Sequence, residues 1–267
     1  MKTFAIIIFS LFYFLCLITA QDTLYFYKAG MVINKRAVAD MDSVIFAYKV
    51  PASLTVTDLD GNVYHTINIG TQTWMVENLK STKFRTGESI SNILDNTWGT
   101  VSYSAWSDYN NNSSNGDKYG RLYNWYAVVD NRNIAPNGWH IPSSAEWNTL
   151  SEYLIRNGYN FDGTTTDNKI AKSLSSKDNW LSSSIIGTIG NNPALNNSSG
   201  FNALPGGSRY SDGNSYSIGL SGYWWSSTSY NIRNAYFMSI FYDALFMNLD
   251  NFEGYKQNGF SVRCLKD

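Results

Sequence analysis

The chain has 267 residues, with 20 Lys and Arg against 21 Asp and Glu for a net charge of −1. That balance, with no clustered basic run, lacks the electrostatic footprint of a nucleic-acid binder. Its distinctive feature is 16% aromatic residues beside only 15% charged ones, set among many Asn, Ser and Gly, a mix suited to an extracellular, loop-rich surface.

The first element is a leader. Lys2 precedes an apolar run from Phe4 to Leu17, and Ile18, Thr19 and Ala20 follow at the cleavage positions, so residues 1–20 read as a secretory signal peptide. A lipoprotein signal at Cys16 would need a small residue just before it, and Tyr13, Phe14 and Leu15 stand there instead. The expected location is therefore secreted or cell-surface, with no membrane span after cleavage; the alternative is an uncleaved N-terminal anchor. Cleavage also removes Cys16, leaving Cys264 as the one mature thiol, expected to be buried, with no internal disulfide.

Residues 21–53 read as a small β element and linker. TLYFYKAGMVINKR holds two short aromatic and β-branched runs around Ala29 and Gly30, a hairpin pattern; SVIFAY at 43–48 offers a third strand, and VPAS at 50–53 a linker. The main domain then runs over 54–267. It opens on a β-meander, LTVTDLDGNVYHTINIGTQTWMVENL, with turns at Asp60–Gly61 and Gly70–Thr71 and with Val63, His65, Ile67 and Ile69 on one strand face. His65 is expected at the strand's solvent-facing start rather than as a ligand. Asp58, Asp60 and Asn62 of DLDGN imitate half of a calcium loop, but the later bidentate acid is missing, so turn chemistry is the expectation. SDYNNNSSNGDKYG at 107–120 is read as a polar loop; Asp108 and Asp117 leave calcium there as the one cofactor not set aside.

Residues 138–147, GWHIPSSAEW, carry one of only two histidines, six residues before a glutamate. Ser143 and Glu146 form the S-x-x-E capping box of a helix start, and Trp147, Leu150 and Leu154 recur along one helical face as far as a stop at Gly158. His140 sits in the extended lead-in before Pro142, with no nucleophile or metal-ligand partner in the local sequence, and reads as framework. Beyond it, residues 157–200 are mostly Asn, Ser, Thr and Gly, with a short helix expected near 168–175. Strands are expected at 201–209, 223–229, 234–242 and 259–265, separated by turn-rich pieces such as YSDGNSYS.

Six segments in order, DLDGNVYHTINIGTQTWMVENLKSTKF, YGRLYNWYAV, APNGWHIPSSAEWNTLSEYL, GFNALPGGSR, GYWWSSTS and GFSVRCLKD, resemble the Fibrobacter succinogenes major paralogous domain, a family of secreted bacterial proteins, over about residues 56–267. The resemblance implies an α+β fold of C-type lectin-like type: a twisted antiparallel sheet, flanking helices and long loops. HIPSSAEW is also similar to the helix start of formylglycine-generating enzymes, but these use a cysteine pair, which this chain lacks. Where many family members carry cysteine, this chain has Ser107 and Ala135.

The function expected is a non-catalytic binding module for glycans or other extracellular polymers, since sugar faces stack on aromatic rings while amides and carboxylates bond their hydroxyls. The candidate contacts are Tyr210, Asp212 and Asn214 in one loop and Tyr230, Asn231 and Arg233 just after WWSSTS. One of Trp224 and Trp225 is expected in the core. The alternative is a structural or assembly subunit of the bacterial cell surface that docks a partner protein through TLYFYKAG. A polysaccharide hydrolase using acids among Asp162, Asp167, Asp243 and Asp250 comes third; the chain has no serine elbow, phosphate loop or zinc spacing.

Overall fold

In the computed structural model, residues 18–19, 23–28, 31–37, 55–249 and 253–267 are described, in two units divided after Val50. The first unit holds β1 (Ile18–Thr19), β2 (Thr23–Lys28) and β3 (Met31–Ala37) in one antiparallel sheet, in which β2 and β3 pair as the expected hairpin strands. The remainder of residues 1–20, the expected strand at 43–48 and the linker at 50–53 lie outside the described residues.

The second unit is mixed α and β, mostly sheet with few helices. Its strands are β4 (Thr55–Thr57), β5 (Val63–Ile69), β6 (Gln72–Met75), β7 (Ser91–Asn92), β8 (Ala105–Ser107), β9 (Leu122–Tyr123), β10 (Trp139–His140), β11 (Ser208–Arg209), β12 (Ser215–Tyr216), β13 (Ser221–Ser229), β14 (Asn234–Phe241), β15 (Glu253–Tyr255) and β16 (Leu265–Lys266). The helices are α1 (Ser113–Tyr119), α2 (Trp125–Val128), α3 (Ser144–Arg156) and α4 (Ala171–Leu174). One antiparallel sheet runs β10-β16-β6-β5-β4, a second runs β13-β14-β15, and β7-β8-β9 and β11-β12 make smaller ones.

Neighbouring residues on these strands serve different cores. Met75, Trp225, Phe237 and Cys264 are buried in one apolar cluster, while Trp74, Trp224, Met238 and Leu265 are buried in another. Successive strand side chains point to opposite faces, so both faces here are covered by protein. That is why Trp224 and Trp225 stand side by side: both are fully buried, one in each cluster. A strand covered on both faces reads as a continuous apolar run rather than an alternating one. In the second cluster Trp74 meets Trp147 of α3 at 4.7 Å between ring centroids, with the Phe201 ring edge-on at 5.6 and 5.9 Å.

Helix α3 forms as its sequence dictates. Ser143 is the N-cap, both halves of the capping box are present, and Trp147, Leu150 and Leu154 are buried along its inner face. Gly158 follows with φ of +75°, the left-handed conformation that glycine adopts at helix ends without a Cβ penalty.

Three expectations need correction, while the short helix expected near 168–175 is present. Residues 107–120 are not a plain loop: after a 3-10 turn at Tyr109–Asn111, Asn112 accepts a hydrogen bond from Ser114 N and starts α1. This helix has no apolar period; its cap and the burial of Tyr119 hold it. On β5, Val63 and His65 are exposed and Tyr64 is the buried residue of the first half, because its hydroxyl donates to Asp58 Oδ2 at 2.6 Å. Residues 201–209, interrupted by the positive φ of Asn202 and Gly207, and residues 259–265 pair mostly through isolated bridges, so only Ser208–Arg209 and Leu265–Lys266 qualify as strand. The 168–175 helix is a single turn, α4.

The long stretch after α4, whose one helical piece is a 3-10 turn at Pro193–Leu195 among the described residues, is ordered around the buried Lys172. Lys172 Nζ donates to the carbonyls of Thr188 at 3.2 Å, Asn192 at 3.1 Å and Asn191, and to Asn196 Oδ1 at 2.9 Å. Burial lowers the pKa of this ammonium, and the ring of oxygens supplies what water no longer can.

Candidate saccharide groove

The β11–β12 hairpin turns at Asp212–Gly213, where Gly213 has φ of +83°. The Asp212 carboxylate accepts from Asn214 N at 2.9 Å, Asn214 Nδ2 at 3.2 Å and the Tyr216 hydroxyl at 2.6 Å. These bonds, that of Tyr216 foremost, hold its pKa below the ordinary 3.8. The same turn sets the Tyr210 and Tyr216 rings 5.2 Å apart.

Beside the hairpin lies an open groove of about 410 Å³. Tyr223 of β13, Phe237 of β14 and Phe260 form its floor; the Tyr223 and Phe260 rings stack at 5.1 Å and 18°, and Phe237 meets Phe260 at 4.8 Å. Tyr210 and Asp212 line it on one side, Tyr255 on another. Gly254 sets its depth: a Cβ there would lie 2.9 Å from the Phe260 ring, 3.2 Å from Trp225 and 3.3 Å from Phe237. Tyr255 is 58% exposed, whereas Asn258, also in the lining, is only 7% exposed and its side-chain amide makes no hydrogen bond among the described residues.

The six expected contacts therefore divide. Tyr210 and Asp212 line the groove, and Asn214 supports it by bonding Asp212. Tyr230, Asn231 and Arg233 occupy the β13–β14 turn, where Asn231 Oδ1 accepts from the backbone of Arg233 and Asn234, each at 2.8 Å. Tyr230 packs edge-on against Tyr236 at 5.3 Å, and Tyr236 points to the face opposite its neighbour Phe237, away from the groove. Sequence reasoning missed Tyr223, Phe237, Tyr255, Asn258 and Phe260, which come together only through β13-β14-β15 pairing. Asn258–Gly259 carries an ordinary turn signal that nothing local distinguishes from a binding residue.

A family model described as the Fibrobacter succinogenes major domain matches residues 67–266. The chain belongs to that family. No curated protein and no solved structure matches it. Every groove residue of this Fibrobacter succinogenes major domain lies inside the matched span, close to its segments GFNALPGGSR, GYWWSSTS and GFSVRCLKD.

Elsewhere in the domain, titratable side chains tie the frame together. His140 Nδ1 pairs with Asp267 Oδ1 and its Nε2 with Glu146 Oε1, both at 2.8 Å, while Glu146 Oε2 accepts from Ser143 N and Oγ, also at 2.8 Å. Sequence reading found the Ser143–Glu146 half of this cluster but not the histidine's two partners. With a carboxylate on each ring nitrogen the imidazole has no free lone pair to act as a base, and Ser143 Oγ faces Glu146 rather than His140. Burial alone would lower the histidine's pKa; the bonds to Asp267 and Glu146 outweigh it and raise the pKa above 6.5. Burial likewise works to raise Glu146, but its bonds to Ser143 and His140 bring it below 4.5.

A pH dependence follows. The His140 contribution is complete below pH 6.5 and is lost as pH rises through its raised folded value; that of Glu146 is complete above pH 4.5 and is lost as pH falls through its lowered one. Stability from this cluster is therefore greatest between those two values. Urea midpoints measured across pH 5–9 are expected to fall at the alkaline end by at most about 1 kcal/mol, a small figure because the cluster is about a third exposed, and His140→Gln should flatten the fall.

The carboxylates of the DLDGN turn and Asp108 are engaged by protein partners. Asp58 accepts from Asp60 N, Asn62 N and Tyr64, Asp60 binds Thr82 and Lys83, and Asp108 faces Arg121 at 3.3 Å. Among the described residues no group of three or more His, Cys, Asp or Glu side chains is placed to hold a metal. Asp162 pairs with Lys169 at 2.7 Å, and Asp250 lies outside the described residues. His65 pairs with Glu77 at 2.7 Å on the surface. Cys264 is free and buried, and burial raises its thiol pKa far above the ordinary value, so it has no thiolate with which to react. Among the described residues no helix is long and apolar enough to cross a membrane.

Proposed function

We infer that the domain is a non-catalytic binding module, secreted or held at the cell surface, that takes a saccharide in the groove beside the β11–β12 hairpin. The observation that carries this reading is an open groove of about 410 Å³ over the aromatic edge of the core, with Tyr210 and Tyr255 partly exposed along its sides. A pyranose ring has an apolar face that stacks on tyrosine and a rim of hydroxyls that needs amide and carboxylate partners, and the lining has both kinds of group. Its volume falls within the roughly 300–1,000 Å³ usual for small-molecule sites. The N-terminal pattern of Lys2 followed by an apolar run supports export, and the α+β architecture with long loops agrees with a C-type lectin-like relationship.

Retention on insoluble polysaccharides tests the reading. Tyr210→Ala and Tyr255→Ala are each expected to weaken binding about tenfold, the loss of one stacked ring at about 1–1.5 kcal/mol, with unfolding midpoints unchanged. Wild-type retention by the doubly substituted, folded protein would remove the groove as the site.

A further inference from the structure

We propose that the groove is selective for uncharged saccharides and that the Asn258 amide is its buried polar anchor. This rests on the groove being the saccharide site. Two independent observations carry it: the balance of charge in the lining and the state of one side chain.

Among the described residues the lining contains a single ionised group, the Asp212 carboxylate, and no lysine, arginine or histidine. Asp212 is fixed in place by Tyr216 and Asn214 and cannot swing out of the way without breaking the hairpin turn. The cations that adjoin the lining in sequence are engaged elsewhere. Arg209 is buried over the Trp98 ring with its guanidinium on the carbonyls of Ile93, Asp95 and Gly213, and Lys256 Nζ sits over Trp125 bonding Ser229 and Asn231. A uronate or sulfated chain entering the groove would bring its charge up to a fixed carboxylate with no cation to neutralise it, whereas a neutral ring meets no such opposition.

Asn258 supplies the second observation. A side-chain amide with no protein partner takes its hydrogen bonds from whatever occupies the space it faces. Asn258 is more than nine-tenths buried as a residue, lines the groove, and its side chain bonds no described residue. It offers one donor group and one acceptor, the set that two adjacent pyranose hydroxyls satisfy, one accepting and one donating. The exposed Tyr210 and Tyr255 rings of the same lining provide the stacking surface, so one sugar ring can meet the amide and an aromatic face together.

The test is titration of the full chain with cellotetraose, chitotetraose and tetragalacturonate, followed by calorimetry and by the side-chain amide NMR signals. The neutral oligosaccharides are expected to bind at least tenfold more tightly than tetragalacturonate, with affinity insensitive to salt, and the Asn258 NH₂ signals are expected to shift on binding. Asn258→Leu, which keeps the shape and removes the hydrogen bonds, should weaken neutral binding at least tenfold. Asn258→Asp, which removes the donor, should weaken it as well. Preferential binding of tetragalacturonate would overturn the selectivity and leave the groove as a saccharide site. Unshifted Asn258 signals, or wild-type affinity in the folded leucine variant, would remove the anchor. Failure of every oligosaccharide to bind would overturn both this inference and the function it rests on.

Discussion

Arg263→Ala is expected to destabilise the domain by about 3–5 kcal/mol, read as a lower urea midpoint with unchanged far-UV circular dichroism. The guanidinium is fully buried, and its bonds run to neutral acceptors: Nη2 to Asn78 Oδ1 at 2.7 Å, Nε to the same atom at 3.2 Å, and Nη1 to the carbonyl of Phe201. Its plane lies over the Phe201 ring at 4.3 Å. Burial pulls its pKa down to about 9, still protonated at neutral pH. Truncation leaves a cavity the size of an arginine and strips the Phe201 carbonyl of this donor, while Asn78 Oδ1 keeps the Trp224 indole N–H at 2.7 Å. Arg263→Met refills most of the volume but not the hydrogen bonds, so its loss should be smaller, about 1–3 kcal/mol. Equal losses for the two variants would show that polarity, not volume, governs the site.

Trp225→Ala should cost a similar amount, about 3–5 kcal/mol, for a different reason. Its indole fills the first core with no exposed surface, meets Phe260 at 4.4 Å and Phe237 edge-on at 6.2 Å, and donates Nε1–H to the Tyr123 carbonyl at 2.7 Å. Domains of this kind are stable by roughly 5–15 kcal/mol in total, so the variant forfeits a large share of that margin. Because Phe237 and Phe260 are also groove floor, the same substitution should loosen saccharide retention. Trp225→Phe keeps a ring but loses the hydrogen bond and part of the volume, and a loss near 1–2 kcal/mol is expected by calorimetry or chemical denaturation.

What could be read from sequence was whatever is specified locally. Helix α3 was legible because Ser143, Glu146 and the Trp147, Leu150, Leu154 spacing state its start and inner face within a dozen residues. Asp212–Gly213 announced a turn in the same way. Helix α1 was not legible, since SSNGDKY has neither period nor strong propensity and is held by its Asn112 cap and by packing of Tyr119. Burial on β5 was misread because that strand serves one core through Tyr64 and the other through Ile69, and a single-face rule has no place for that. One side of the groove was found through Tyr210 and Asp212; the rest depends on β13, β14 and β15 pairing, and Asn258 owes its character to burial, which no short motif records. The His140–Asp267 contact spans 127 residues and left no local trace.

The place of β16 bears on how the fold is reached. Although it is the last strand in chain order, it lies inside the five-stranded sheet, between β10 and β6. Hairpins such as β5–β6 can zip as soon as they emerge, but the sheet that joins the two cores stays open until residues 265–266 arrive between partners that were made much earlier. Closure of this kind sets a slow clock, with the loop entropy spent before the pairing returns anything.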